Sequence, residues 1–339
     1  MQNKYSNIFT SSYDPDKVFV LSDYHYLNVQ SAVAHTEGLY QGLGLSMKSG
    51  FPVATAVPPF DGTAVNSLVQ ALSSQPSTYY ASNPNLIFPT IVDISSSMIF
   101  ERIYGSSSCP NGKVWAAANM KDATYTSAYA TFKPTIDKAN VYLKTKMSTG
   151  ANVITFVDTV LVDMYDNRAY PGGMPSTLVP SLVAAYSWFV YHQEYAQLIQ
   201  RQVSAYYPVT EILSQLAAQV NGKSSAYNAV IYSGNTYNLY AILAAFGVVT
   251  EDCLMANYRS LQSYGGYDYP NCVFPVFSSS IVIELYNPTG SARVKFYYNN
   301  NLINFCAGTD GCPYNDFVTL AKNSIGNLSS STFKTKCNY

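Results

Sequence analysis

The sequence predicts an α/β fold: one α/β domain interrupted by a helical insertion. Two patterns and a length point there. Short apolar runs that read as buried strands lead through a turn into an apolar helix near both ends of the chain. Between them helical periodicity runs from 113 to about 219. The chain has 339 residues, room for one large domain or for two of about 150 each, with a sizeable core. The two halves of the sheet are expected from 15–110 and 225–300. The expected division is an α/β core over 1–112 and 222–339 and a helical cap over 113–221.

Taken in order, 17–21 (KVFVL) reads as a buried strand, 22–26 as the loop after it, and 27–39 as a helix ended by Gly42. The segment 53–62 is rich in Pro and Gly and reads as irregular or as an edge. A short helix is expected over 64–72, and a strand broken by Pro89 over 85–94. The stretch 106–112 (SSSCPNG) reads as a loop, and Pro/Gly interruptions at 171–175 divide the helical block. A second buried strand is expected over 226–233 (AYNAVIYS), then a Gly-bearing turn and a helix over 238–246 that ends at Gly247. The runs 280–286 (SIVIELY) and 292–298 (ARVKFYY) read as a hairpin around Asn287-Pro288-Thr289-Gly290, and 315–323 as a last short helix. There is no internal repeat and no charged tail.

Charge is scarce. Charged residues are 12% of the chain and the net charge is −1, against about 25% charged in a typical soluble chain. With no basic excess to neutralise phosphates, nucleic-acid binding is not expected. No run of about 18 apolar residues occurs, so no membrane-spanning helix is expected. A hydrophobic content of 48% excludes global disorder. Tyrosine is abundant: 31, against 2 Trp and 3 His. A surface of Tyr, Ser, Asn and Thr is wetted by hydroxyls and amides instead of charge, and suits dense contact with neighbours or glycans. A biased genome or an extracellular habit is the plainer reading of the same bias.

The six cysteines are Cys109, Cys253, Cys272, Cys306, Cys312 and Cys337. None forms a CxxC pair and three histidines offer little else, so no metal site and no cofactor are expected. An even number gathered toward the C-terminus reads as disulfides in an oxidising compartment. Cys306 and Cys312 enclose a short Gly-bearing loop and Cys253 and Cys272 a Tyr/Gly-rich one, which leaves Cys109 with Cys337; spacing alone does not choose among the possible pairings. One sequon, Asn327-Leu328-Ser329, is usable for glycosylation in a secreted protein. The opening MQNKYSNIFTSSYD lacks a basic region followed by an apolar run and does not read as a signal peptide. For a secreted chain, Met1 is then expected to lie inside a longer precursor.

Several motifs in order resemble the histidine acid phosphatase family. The stretch 230–247 (VIYSGNTYNLYAILAAFG) is similar to the family's strand, His-Asp-Thr turn and apolar helix ending in Leu-Gly. Tyr269-Pro270-Asn271-Cys272 with 278–286 (SSSIVIELY) resembles its Phe-Glu-Leu strand, and 306–317 (CAGTDGCPYNDF) its Cys…Cys-Pro ending. Near the N-terminus, 18–40 is similar to Val-x-Val-Arg-Ser-Thr followed by Arg-Thr and Gly-Leu-Tyr. Phe60-Asp61-Gly62-Thr63, Cys109-Pro110 and 158–175 also have counterparts. The resemblance spans about 4–337. It implies a three-layer α/β/α sandwich with a mostly parallel sheet and an inserted helical cap, and disulfides Cys306–Cys312 and Cys109–Cys337.

The family's activity implies residues that are replaced here. It transfers a phosphoryl group through a nucleophilic His, with arginines that cradle phosphate and a His-Asp pair that binds phosphate and protonates the leaving oxygen. The nucleophile motif, Arg-His-Gly-x-Arg-x-Pro, falls upstream of this sequence. Leu21 and Leu27 stand where the resemblance places arginines, and Asn235-Thr236 where it places His-Asp. Leu has no donor, and neither Asn nor Thr is a general acid at ordinary pH. The resemblance therefore implies a pseudoenzyme.

The remaining candidates have plain readings. His25 reads as an exposed loop residue, His35 as packed or solvent-facing, and His192 as part of an aromatic helical core. Asp158, Asp163 and Asp166 are spaced too irregularly for a metal loop. Asn235 and Thr236 read as satisfying local turn hydrogen bonds. The expected function is a catalytically inactive, extracellular or cell-surface protein that self-associates into a homo-oligomer, filament, coat or adhesive, with glycans as possible partners. The alternative is a binding module whose remnant cleft holds a phosphorylated or sugar ligand. A residual phosphatase ranks last.

Overall fold

A computed structural model describes residues 4–6, 8–9, 14, 16–23, 26–39, 102, 109–144, 146–223, 226–287, 290–308 and 310–339. The expected elements over 53–62, 64–72 and 85–94, together with His25 and Phe60-Asp61-Gly62-Thr63, lie outside them. The fold is mixed α/β, as expected, with a small parallel sheet and a separate antiparallel one. It comprises two compact units. The first contains Met1–Ser96, Leu161–Ala169 and Ser225–Gly234, and the second Ser97–Val160, Tyr170–Ser224 and Asn235–Tyr339.

The first unit is a strand–turn–helix and a returning strand. Strand β1 (Val18–Ser22) leads into α1 (Tyr26–Leu39), and β2 (Ala229–Ser233) pairs with β1 in parallel, Val18 opposite Ala229 and Ser22 opposite Ser233. The run VFVLS is apolar on both sides because both sides are covered. Val18 and Val20 pack with Ala32 and Leu39 of α1 and with Phe9, while Phe19 stacks on Tyr227 at 5.1 Å. The expected strands over 17–21 and 226–233 and the helix over 27–39 are present to within a few residues.

The second unit is built around one buried helix. Its helices begin with α2 (Pro110–Asn119), α3 (Ala123–Asn140) and α4 (Gly150–Tyr165, whose last turn belongs to the first unit), and continue with α5 (Val179–Tyr195) and α6 (Leu198–Val220). The start of α2 differs from the expected loop over 106–112. Pro110 sits in the first helical turn, where its fixed φ is pre-organised and its missing N–H is not needed, so the helix begins directly after Cys109. The break at 171–175 is two short 3-10 turns, Pro171–Gly173 and Ser176–Leu178.

Thirteen of the seventeen residues of α5 are buried. A helix apolar all round must be enclosed all round. Phe132 of α3 lies 5.7 Å from Trp188 and 5.2 Å from Phe189, and meets the ring of Tyr258 edge-on at 4.7 Å. Tyr258 belongs to α8 (Glu251–Ser263), which follows α7 (Thr236–Ala245). Tyr240 of α7 is fully buried. It packs against Tyr191, Tyr195 and Phe274, and donates its hydroxyl hydrogen to the Ser187 carbonyl at 3.1 Å. Each such buried aromatic contributes about 1.5–3 kcal/mol by transfer alone. Where α5 gives way to α6, Arg201 donates to the carbonyls of Tyr195 and Ala196, and the Asn119 amide bridges the His192 carbonyl and Gln200. These bonds satisfy carbonyls at the C-terminal end of the helix.

The expected hairpin is present. Strand β3 (Ile281–Tyr286) pairs antiparallel with β4 (Arg293–Tyr298), which also pairs with β5 (Asn301–Ile303) and β6 (Cys312–Pro313). Under this sheet Phe296, Phe246, Phe305 and Phe317 form one aromatic cluster with ring centroids 5.2–6.0 Å apart. Two further helices close the chain, α9 (Tyr314–Ser324) and α10 (Ser330–Cys337).

All six cysteines are paired, Cys109 with Cys337, Cys253 with Cys272 and Cys306 with Cys312. The first of these joins residues 228 apart in sequence and fastens α10 to the start of α2, where Asn111 also donates to the Lys336 carbonyl. Phe333 of α10 is stacked on Tyr206 of α6. In the Cys306–Cys312 loop Gly311 has a φ of 81°, and a Cβ there would lie 2.6 Å from the Val294 carbonyl oxygen, so only glycine fits. No described helix is long and apolar enough to cross a membrane.

Candidate functional site

In parallel α/β sheets ligands bind beyond the carboxyl ends of the strands, so the ends of β1 and β2 are the first place to look. Leu21 is buried and brings no polar group. Leu27 lies in the first turn of α1. After Leu21 come Ser22 and Asp23, both buried. The Asp23 amide donates to the Ser233 carbonyl at 3.0 Å, extending the β1–β2 ladder by one bond. The Asp23 carboxylate accepts from the Asn28 side chain at 3.0 Å, and the Ser233 hydroxyl donates to the Asn28 carbonyl at 2.9 Å. The network ties both strand ends to the first turns of α1. Among the described residues the network offers a phosphate oxygen no arginine or lysine, the cations a phosphate site uses.

In the second unit the Asn235-Thr236 pair opens α7. Asn235 is the N-cap: its side-chain oxygen accepts from the backbone amides of Tyr237 and Asn238, and its own amide donates to the Asn238 side chain at 2.9 Å. Thr236 is the first helical residue. The side chain that the resemblance aligns with a phosphate-binding His is thus engaged in starting a helix.

Beside this turn stands a group that the sequence reading does not single out. The Arg102 guanidinium lies over the Tyr237 ring, 3.6 Å from its centroid, and is ion-paired with Glu194 of α5. The Glu194 side chain is 3% exposed and that of Arg102 is 34% exposed. Burial pushes the Glu194 carboxyl above the usual range, and Arg102 pulls it part of the way back. Tyr195 donates its hydroxyl hydrogen to the Tyr237 carbonyl at 3.1 Å. Sequence spacing carries no signal for this pair, since 92 residues separate its members.

His192, expected in an aromatic helical core, is there. Its ring stacks on Trp188 at 4.6 Å and is sealed from solvent. Both ring nitrogens are engaged: Nδ1 lies 2.6 Å from a Glu251 carboxylate oxygen, and Nε2 lies 3.1 Å from the Asn119 carbonyl and 3.2 Å from Asp122. Burial lowers the ring's pKa, but the Glu251 carboxylate, then Asp122 and the Asn119 carbonyl, outweigh it, and the net direction is upward. A ring so enclosed is a structural ion-pair member and not a nucleophile. His35 is exposed on α1.

Asp158 and Asp163 lie on α4, and Asp166 pairs with Arg168 at 3.0 Å. Among the described residues no cluster of three or more His, Cys, Asp or Glu has the geometry to hold a metal. Asn327, the sequon asparagine, is exposed just beyond α9 in a left-handed conformation, and Ser329 of the same sequon caps α10.

No protein family and no curated protein matches the sequence. Among solved structures, the fold is similar to the phytase from D. castellii, with a TM-score of 0.53 and 10% sequence identity over 99% of this chain and 63% of that one. The chain therefore spans about 63% of the length of that phytase. At this identity the likeness shows the fold alone, a mixed α/β fold like that of the phytase.

Proposed function

We propose that this chain is a catalytically inactive, acid-phosphatase-like extracellular protein with a structural role, assembling with copies of itself into a filament, coat or adhesive layer. One observation carries the inactive half of the reading. The positions that the resemblance assigns to phosphate chemistry hold a buried Leu21 followed by the Asp23 carboxylate, and an Asn235 engaged as a helix cap. A leucine side chain and a capping asparagine cannot replace an arginine and a general acid. Losing such groups removes several orders of magnitude in rate, about 3–4 kcal/mol for one well-placed donor alone.

The structural half is supported by the three disulfides, which suit an oxidising compartment. The near-zero net charge weakens repulsion between copies. Bulky side chains stand exposed on the second unit, among them Phe277, Tyr264, Tyr269 and Tyr339. The exposed Asn327 supports glycan attachment in such a location.

Electron microscopy and sedimentation of the full-length protein, with a phosphomonoester hydrolysis assay on the same sample, test the proposal. Regular polymers without hydrolysis are the expected result. A strict monomer overturns the assembly reading and moves weight to a ligand-binding cleft. Hydrolysis that follows the purified protein overturns the inactive reading.

A further inference from the structure

We propose that Tyr264 is a site of oxidative tyrosine cross-linking, the residue through which two copies of this chain become covalently joined by a dityrosine bond under a haem peroxidase and hydrogen peroxide. The chemistry requires a phenol that collides with its partner, gives up its proton as the electron leaves, and has an accessible ring carbon ortho to the hydroxyl. Five described tyrosines are exposed: Tyr142, Tyr264, Tyr269, Tyr286 and Tyr339. Of these, Tyr264 combines the requirements. It is 61% exposed, and its hydroxyl donates to the Asp268 carboxylate at 2.6 Å.

The carboxylate is held in place to act as acceptor. Asp268 also accepts from the Ser260 hydroxyl of α8, and the hydrogen bonds from Ser260 and Tyr264 keep its carboxyl below the usual range, hence ionised. The loop that carries both residues is closed at its base by Cys253–Cys272, and Asn257 clamps it by donating to the carbonyls of Tyr269 and Cys272. The Tyr264 ring lies against Gly266. A Cβ at that position would come within 2.6 Å of Cε2, an ortho carbon, so glycine there lets the ring keep its place.

Of the other described exposed tyrosines, Tyr286 also donates its hydroxyl hydrogen to a carboxylate, that of Glu284, but both it and Tyr339 carry a cation on the ring face. Lys295 sits over the Tyr286 ring at 4.9 Å and Lys334 over the Tyr339 ring at 5.5 Å. A cation on the ring face is favoured by the electrons that oxidation removes, so it opposes their loss. Among the described residues no carboxylate meets the hydroxyl of Tyr142 or Tyr269.

The balance closes with the named oxidant. Each phenol passes one electron to the oxidised haem enzyme and one proton to Asp268 and then to water. The two radicals form a bond between ortho carbons, and each ring regains aromaticity as its ortho hydrogen moves to the oxygen. Two phenols and one hydrogen peroxide yield one dityrosine and two waters. This needs only collision between copies, so it stands apart from the assembly reading.

The experiment is treatment of the full chain with a haem peroxidase and hydrogen peroxide, followed by dityrosine fluorescence, the yield of covalent dimer, and mapping of the joined peptides. The expected result is a joined peptide that contains Tyr264, a loss of at least fivefold in dimer for Tyr264→Phe, and severalfold slower coupling for Asp268→Asn. Tyr339→Phe is expected to change the yield less than twofold. Joined peptides without Tyr264, or a Tyr264→Phe variant that keeps more than half the yield, overturn the proposal. Coupling of a protein that sediments as a monomer leaves it standing while removing the filament.

Discussion

His192 and Glu194 are two residues apart on the same buried helix, and α5 points them in nearly opposite directions. His192 faces the start of α3 and the start of α8, between Asp122 and Glu251. Glu194 faces Arg102 and the Tyr237 ring at the start of α7. In both places the member on α5 is sealed and its partner stands nearer the rim. The His192 side chain is 2% exposed against 43% for Asp122 and 28% for Glu251. Desolvation therefore falls on one group per cluster, and the partner keeps much of its hydration. The clusters differ in what a proton does. Arg102 stays charged at any working pH, whereas the His192 charge comes and goes. One helix thus carries a permanent tie on one side and a titratable tie on the other.

Breaking the permanent tie should have the larger effect. Arg102→Met leaves the Glu194 carboxylate buried without its cation, and about 3 kcal/mol of stability should be lost at neutral pH in urea unfolding. Adding Glu194→Gln should restore most of it, and a double variant as unstable as the single one would show that Arg102 acts through packing instead. The loss should shrink in acid, because burial raises the Glu194 carboxyl and protonation then removes the stranded charge.

The titratable tie should respond to pH with a definite sign. The native His192 pKa lies above the ordinary value near 6.5. Its contribution is therefore fully present below about pH 6.5 and is lost as pH rises through the raised native value. His192→Gln should cost about 1–2 kcal/mol at pH 5 and progressively less in alkali. A constant difference from pH 5 to 9 would show that the charge contributes nothing.

A smaller change sharpens the comparison. Asp122 caps α3 by accepting from the Tyr125 amide at 2.7 Å as well as facing His192. Asp122→Ala should cost about 1 kcal/mol as a lost cap and should lower the His192 titration midpoint in NMR, an effect that a cap alone would not produce.

Much of this was legible in the residues. The apolar runs around Val18–Ser22 and Ala229–Ser233, the helical block from Lys113 onward and the hairpin of β3 and β4 follow from local periodicity, which a single segment encodes. Helices α8 and α10 lie outside the expected elements, although Thr250 followed by Glu251 and Asp252 is a helix-start pattern that marks α8. Polar α10 has a weak signal beyond its Ser329 cap, because its hold on the fold is Phe333 and a disulfide. At the candidate site, Asn235 as a local turn group was legible, since a cap involves only its next three residues. Asp23, Arg102 and Glu194 were not, because a buried charge declares itself only through what encloses it.

The sequence by itself determined the alternation of strand and helix, the scarcity of charge and the presence of six cysteines, all properties of composition or of a few adjacent residues. Spacing left the cysteine pairing open, and the fold has the three pairs the loops and the resemblance point to; tertiary structure alone decided that His192 lies between carboxylates 59 and 70 residues away. It also decided that a partner 92 residues away offsets the burial of Glu194. The reason is physical. Propensity and periodicity act over a turn or two of chain, whereas desolvation and charge pairing depend on distance in space, and only folding sets that distance.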